Sequence, residues 1–269
     1  METDGNQWNA LEPGGIARAC PFPAVELSGR VETAETVPGV PAAILAGLPD
    51  SEEAEARERA RAEAEANRKR RQREERFSEL CPPLYRAPEI VKAMRERVPA
   101  EILRRVFSWR PGGLQSGLLL FGPSGGFKTT MLFQILRRVM VENGERPAFL
   151  SGETLARDAA AAYGNPAATA EWLGRFKKPG WLFMDDLFKG TMTPSASLAI
   201  FEIVEYRTAR FLPTVATTNP TGERIEASAR DPAAQETIGP ILRRIRGDGP
   251  RIPGFFECIR IPAPGDGMD

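Results

Sequence analysis

The sequence predicts an α/β fold, a parallel sheet flanked by helices, and three observations carry that prediction. From residue 118 onward, short apolar runs alternate with segments of helical period. Two of these runs, residues 118–121 and 181–184, are apolar at every position, as in strands covered on both faces. A glycine-rich turn, GPSGGFKTT, joins the first run to the first of the helices.

Residues 1–50 are rich in Pro, Gly, Ala and Glu and hold no sustained period, which reads as a disordered tail. Residues 51–76 read as a charged helix. Ser51 ahead of Glu52 and Glu53 is a helix start, and Glu53–Arg57 and Glu55–Arg59 stand at i,i+4 in the favourable order. No Leu or Ile stripe recurs through it, which argues against a coiled coil. Arg68, Lys69, Arg70, Arg71, Arg73 and Arg76 put six cations into nine residues. That cluster suits either a solvated helix face or contact with phosphates. Pro82 and Pro83 break the helix, and a domain boundary falls in residues 77–88. Residues 89–109 show helical period in two pieces separated by Pro99. Strands follow at 118–121, 148–150, 181–184, 214–217 and 255–261. Helices are expected from the glycine-rich turn to Asn143-Gly144, then at 153–163, 167–176, 195–210 and 238–246. The main domain therefore spans 77–263, and residues 264–269 form a flexible end.

Composition sets the outer bounds. The chain has 269 residues, 42% of them hydrophobic, enough for a substantial core. Its formal net charge of +0 leaves only local patches to speak for nucleic acid. Cys20, Cys81 and Cys258 are isolated, and the chain has no histidine, so a zinc site lacks ligands and a histidine-based triad is excluded. No signal-peptide pattern and no apolar run of the roughly 20 residues that span a bilayer is present. With dispersed free cysteines, this predicts a cytoplasmic protein with no membrane partner.

The chemistry concentrates in four places. Gly122, Pro123, Ser124, Gly125, Gly126, Phe127, Lys128, Thr129 and Thr130 form a phosphate-binding loop between a strand and a helix. Glycines let backbone N–H groups close on a polyphosphate at the positive end of the helix. Lys128 reaches the β- and γ-phosphates, and the Thr129 hydroxyl ligates Mg²⁺. The template asks for glycine where Phe127 stands, so a loop tightened or distorted at that point is expected. Second, Asp185 and Asp186 end an apolar strand, the end at which ligands bind in open α/β sheets. Asp185 is placed to hold Mg²⁺, and Asp186 to polarise the attacking water, as a base or by orienting it. Third, Asn219 ends the strand at 214–217, where a neutral amide holds a γ-phosphate or water without added charge. Fourth, Arg243, Arg244 and Arg246 supply guanidinium groups, either for a neighbouring subunit's phosphate or for a basic face.

In order, GPSGGFKTT, FMDD, ATTN and LRRIR resemble the AAA+ ATPases of the DnaC/IstB type, helicase loaders and transposon helper ATPases. The block LFMDDLFKGTMTPSASLAIFEIVEYRTARFLPTVATTNP and the approach FSELCPPLYR, a helix, then SWRPGGLQSGLLLFGPSG extend the resemblance over residues 77–261, as in phage-borne members. It implies an AAA+-type P-loop domain binding ATP and Mg²⁺. Asp186 takes the catalytic acid position, Asn219 the polar sensor, and Arg244 the trans-acting arginine, with Arg243 as the nearby alternative. It further implies a homo-oligomer acting on single-stranded DNA and on a replicative helicase or, for a transposition helper, a transposase. Many relatives carry an N-terminal zinc-binding cysteine cluster that this chain lacks. A DNA- or helicase-binding adaptor that holds ATP with little hydrolysis is the competing expectation, kept open by Phe127.

Overall fold

A computed structural model describes residues 51–189, 192–219, 221–228, 231–247 and 254–263. The expected tail at 1–50 and the expected flexible end at 264–269 lie outside the described residues. The chain divides into two units, Met1–Glu55 and Ala56–Asp269. Of the first, only the start of a helix is described; the second holds the sheet and its helices.

Helix α1 (Ser51–Leu80) continues past Arg76, because the first proline is Pro82 and because Phe77, at 2% exposure, is a core residue. Its end is held by the Glu74–Arg137 ion pair and by Arg73 Nη1, which donates to Val141 O at 3.3 Å. Helices α2 (Pro83–Arg86), α3 (Pro88–Arg97) and α4 (Ala100–Ser108) come next, each beginning at or beside a proline.

Strand β1 (Gly117–Phe121) leads through the glycine-rich loop to α5 (Lys128–Arg137), which widens into a π-turn at Arg138–Glu142. Then come β2 (Ala148–Ser151), α6 (Gly152–Ala162), α7 (Pro166–Lys177) and β3 (Leu182–Asp185). The order continues with α8 (Pro194–Thr208), β4 (Thr214–Thr218), α9 (Gly222–Ser228), α10 (Pro232–Arg246) and β5 (Phe256–Arg260). Three helices share one start signal, a capping side chain followed by proline. Asn165 Oδ1 accepts from Ala167 N at 2.9 Å, Thr193 Oγ1 from Ala196 N at 3.3 Å, and Asp231 Oδ1 from Ala233 N at 2.8 Å.

The five strands form one parallel sheet in the order β2-β3-β4-β1-β5. Their side chains alternate between two cores, as strand geometry requires. Leu119, Leu182, Met184 and Ala216 enter the core beneath α6–α8 and α10. Leu118, Leu120, Phe183 and Val215 enter the core shared with α1, α4 and α5. That is why the runs are apolar throughout. The parallel arrangement also brings the C-terminal ends of β1, β3 and β4 side by side.

One buried cation fixes the opposite end of the sheet. Arg207 is 1% exposed and has no carboxylate partner among the described residues. Its Nη1 donates to Phe176 O, Lys177 O and Pro179 O at 3.0, 3.2 and 2.8 Å. Nη2 donates to Gly180 O and Pro213 O at 3.4 and 2.7 Å, and Nε to Thr214 Oγ1 at 2.9 Å. The planar fork thereby ties α8 to the turn before β3 and to the start of β4. Burial lowers its pKa to about 10, which leaves it charged at neutral pH.

Candidate functional site

The loop after β1 is shaped by its glycines and by the chain leaving β5. Gly122 has φ 140°, and a Cβ there would collide with Ile261 O. Gly125 has φ 83°, and a Cβ on Gly126 would stand 3.0 Å from Pro262 O. Phe127 adopts φ 63° and ψ 17°, a left-handed conformation that glycine takes freely. For phenylalanine this costs about 1–2 kcal/mol. Its half-buried ring packs against the α1/α5 core, so the loop makes its turn at the expense of strain.

Lys128 opens α5 and is 5% exposed, its Nζ donating to Pro123 O at 2.6 Å. Burial lowers its pKa, while the carboxylates of Asp186 and Asp185 pull it back up. Thr129 Oγ1 donates to Asp185 Oδ1 at 3.0 Å, so the head of α5 and the end of β3 meet directly. Thr217 Oγ1, on the intervening strand β4, donates to the same oxygen at 2.6 Å. Burial raises the Asp185 pKa, and the hydrogen bonds from Thr217 and Thr129 oppose the rise.

Asp186 sits where the chain turns out of β3, with φ 52°. Its N–H donates to Thr217 Oγ1 at 2.9 Å, and its Oδ2 pairs with Lys189 Nζ at 3.2 Å. A Cβ on Gly152 would collide with Asp186 O, so α6 begins with glycine because the acid's backbone crosses it.

Ser124 to Thr130 surround a cavity of about 340 Å³ with Asp186, Asn219 and, on the far wall, Leu84, Tyr85 and Ile90. The Tyr85 ring stacks on Phe133 at 5.3 Å and 16°. Burial, and then the charges of Asp185 and Asp186, raise the Tyr85 pKa. Gly122, Pro123 and Asp185 do not line the cavity itself. The Asp185 carboxylate lies behind its wall, held by the two threonines.

Arg244 is elsewhere. It pairs with Glu205 of α8 and stands 5.5 Å from the Phe201 ring centroid, while Arg243 is exposed. Neither lines the cavity of its own chain. Two residues of the site carry no sequence reading of their own. Thr217 pins both acids at once, and Lys189 neutralises Asp186. The signal for Thr217 was a hydroxyl at the end of an apolar strand. For Lys189 there was none beyond its i,i+3 spacing from Asp186.

Among the described residues no three His, Cys, Asp or Glu side chains cluster as a metal site. The Thr129 hydroxyl and the Asp185 carboxylate are hard oxygen donors beside a cavity. That set suits Mg²⁺, which takes one or two protein ligands and completes its shell with waters and phosphate oxygens. No described helix is long and apolar enough to cross a membrane.

No protein-family model matches the chain, and no curated protein matches it significantly. Several solved structures are similar. DnaI shares 23% identity over 66% of this chain and 84% of its own, with a TM-score of 0.45. The DnaC helicase loader shares 20% over 60% and 86%, with a TM-score of 0.42. AMPPCP-bound DnaA from Aquifex aeolicus shares 13% over 63% of this chain, with a TM-score of 0.42, and the chain spans only 44% of that protein's length. By its own strand order, β2-β3-β4-β1-β5, and by the glycine-rich loop that leads from β1 into α5, the chain is a parallel α/β domain of P-loop type.

Proposed function

We propose that the chain binds ATP with Mg²⁺ in the cavity between Tyr85 and the Lys128 loop, hydrolyses it, and serves DNA replication as a helicase-loader-type ATPase. One observation carries the reading. The hydroxyls of Thr129 and Thr217 converge on one oxygen of Asp185 while Lys128, Asp186 and Asn219 stand around the same site. In this reading Lys128 leaves Pro123 O for the β- and γ-phosphates, and the first N–H groups of α5 receive the remaining phosphate oxygens. Thr129 and Asp185 attend the metal, which supplies charge neutralisation at the phosphates. Asp186, released from Lys189, polarises the attacking water, and Asn219 fixes the γ-phosphate or that water. The adenine lies against Leu84, Tyr85 and Ile90.

Arg244 acts in trans. Its distance from its own cavity supports completion by a neighbouring subunit in a homo-oligomer, with Arg243 the alternative. Residues 77–263 form the ATPase domain in this scheme, and residues 51–76 a charged arm. Single-stranded DNA and a replicative helicase, or a transposase for a transposition helper, are the partners, in the cytoplasm. The Asp186–Lys189 ion pair favours one competing reading, an adaptor that holds ATP and barely turns it over.

Steady-state ATP hydrolysis with and without single-stranded DNA, with Lys128→Ala as the blank, tests the proposal. Turnover above the blank and raised by DNA supports it. Tight binding of ATP without turnover supports the adaptor, and absence of binding refutes both.

A further inference from the structure

Arg246 closes the LRRIR run, and the ATPase reading makes no use of it. Arg244 is taken by Glu205, and Arg246, two residues on, falls on the far side of α10. There it continues the buried stripe of Leu242 and Ile245, at i,i+4 and i,i+1. These three side chains border a second cavity, of about 320 Å³, between α10 and the sheet. The sheet lines it from three adjacent strands: Thr218 of β4, Leu119 and Phe121 of β1, and Cys258 of β5. Register sets Phe121 beside Thr218 and Leu119 beside Cys258. Each large side chain thus has a small neighbour, and the layer leaves room under the helix. Phe188, in the turn after β3, and Ile225 of α9 complete the apolar walls, each 3% exposed. The Thr218 hydroxyl is committed to Leu187 O at 2.6 Å. Arg246 is the one charged group of the lining; it is exposed, and no ion pair engages it among the described residues. A cation therefore stands at the mouth of an apolar pouch.

Apolar walls of this kind take apolar groups rather than water, and a few polar atoms then decide which molecule fits. We propose that this cavity binds a small monocarboxylate, a free acid with a short aliphatic or single-ring body. The body lies against Leu119, Phe188 and Ile245, and the carboxylate is forked onto the Arg246 guanidinium. The charge of Arg246 reaches the cavity, where it opposes the rise that burial gives the Cys258 pKa. The nearest carboxylate does not compete. Glu257 precedes Cys258 in β5, so its side chain leaves the other face of the sheet, and Arg105 of α4 pairs with it at 2.6 Å. A polyphosphate or a dicarboxylate would carry a second charge into apolar walls, and a plain hydrocarbon would leave the guanidinium unused. A peptide's C-terminal residue shares the ligand's chemistry but brings an amide N–H, and the Thr218 hydroxyl is already bound elsewhere. That favours the free acid. The cavity shares no lining residue with the nucleotide cavity, so the proposal stands without the ATP reading.

Isothermal titration of the full chain with sodium octanoate at neutral pH, beside octanamide as the uncharged isostere, tests the site. Octanoate is expected to bind saturably and about fivefold or more tighter than octanamide. Arg246→Gln, a change at an exposed position, should abolish that preference while octanamide affinity stays within about twofold. Cys258→Leu puts a larger side chain into the cavity and should weaken both ligands about tenfold or more. Cys258→Val, with a smaller loss in the same direction, guards against misfolding of the overfilled protein. Lys128→Ala should bind octanoate as the wild type does. Absence of saturable octanoate binding overturns the proposal, and so does octanoate affinity unchanged in Arg246→Gln. Loss of octanoate in Lys128→Ala also overturns it, by moving the ligand to the nucleotide cavity. Tighter binding of an acetylated peptide ending in leucine than of octanoate overturns the free acid in favour of a chain end.

Discussion

Asp185 and Asp186 are adjacent and chemically identical, yet the backbone turn at φ 52° gives them opposite surroundings. Asp185 is drawn into the threonine pair and Asp186 faces the cavity. Because burial raises the Asp185 pKa, the folded chain keeps a proton at pH values where the unfolded chain has lost it. Stability therefore falls as pH rises from the ordinary carboxylate value through the raised one. Asp185→Asn should raise the thermal midpoint at neutral pH and flatten that dependence, while removing metal-dependent turnover; melts at pH 5 and pH 7 beside an ATPase assay decide it. Thr217→Val removes one donor to Asp185 and one acceptor for Asp186 N, and should cost about 1–3 kcal/mol in denaturant unfolding. Phe127→Gly relieves about 1–2 kcal/mol of left-handed strain but gives up a half-buried ring worth about as much. Its stability should stay within about 1 kcal/mol of wild type. A large gain in its turnover would favour the adaptor reading.

At the scale of elements, Arg207 is the fastening on which the strand ends depend. Arg207→Ala leaves five carbonyls and the Thr214 hydroxyl without their donor in a buried place. We expect a loss of about 3–5 kcal/mol, a fall in the thermal midpoint of roughly 6–20 °C. Arg207→Lys should recover little, since an ammonium lacks the planar fork. The strands themselves were legible in the sequence because each is buried on both faces and so apolar at successive positions. The acids and Asn219 were legible for the same reason, being polar groups at the ends of such runs. Other features left a fainter trace. Helix α9 is short and, of its described side chains, buries only Ile225, so it has no stripe to read. Helix α10 begins at Pro232 rather than at residue 238, because the Asp231 cap and Pro232 start it while Gly239 and Pro240 inside it look like breakers. The helix expected to continue to Asn143 becomes a π-turn, with Asn143 N donating to Arg138 O at 3.1 Å. Thr217 and Lys189 act through contacts that exist only once strands and turns are assembled, and residue spacing does not encode them.

For the whole molecule the question is what one subunit leaves undone. In a single chain Arg244 is held by Glu205 on α8, on a different face from the Lys128 loop. If it works in trans, Arg244→Ala should bind an ATP analogue normally and turn over at least tenfold more slowly. Mixing Arg244→Ala subunits with Lys128→Ala subunits should then restore part of the lost rate, since each supplies what the other lacks. Two inactive proteins that stay inactive together would return Arg244 to a structural role between α8 and α10.

The strand order has a metrical consequence. Because β4 lies between β1 and β3, the backbones of β1, which leads into the glycine-rich loop, and of β3, which leads into the acid pair, are set two strand spacings apart, about 9.5 Å, by the sheet's hydrogen bonds. The sheet is in that respect a gauge block. Side-chain substitutions along β4 alter what stands in the gap but leave its width alone. Only a change in the strand's own course, such as an inserted residue that bulges β4, would reset that distance, across which, under the proposed function, a phosphate and its attacking water must fit.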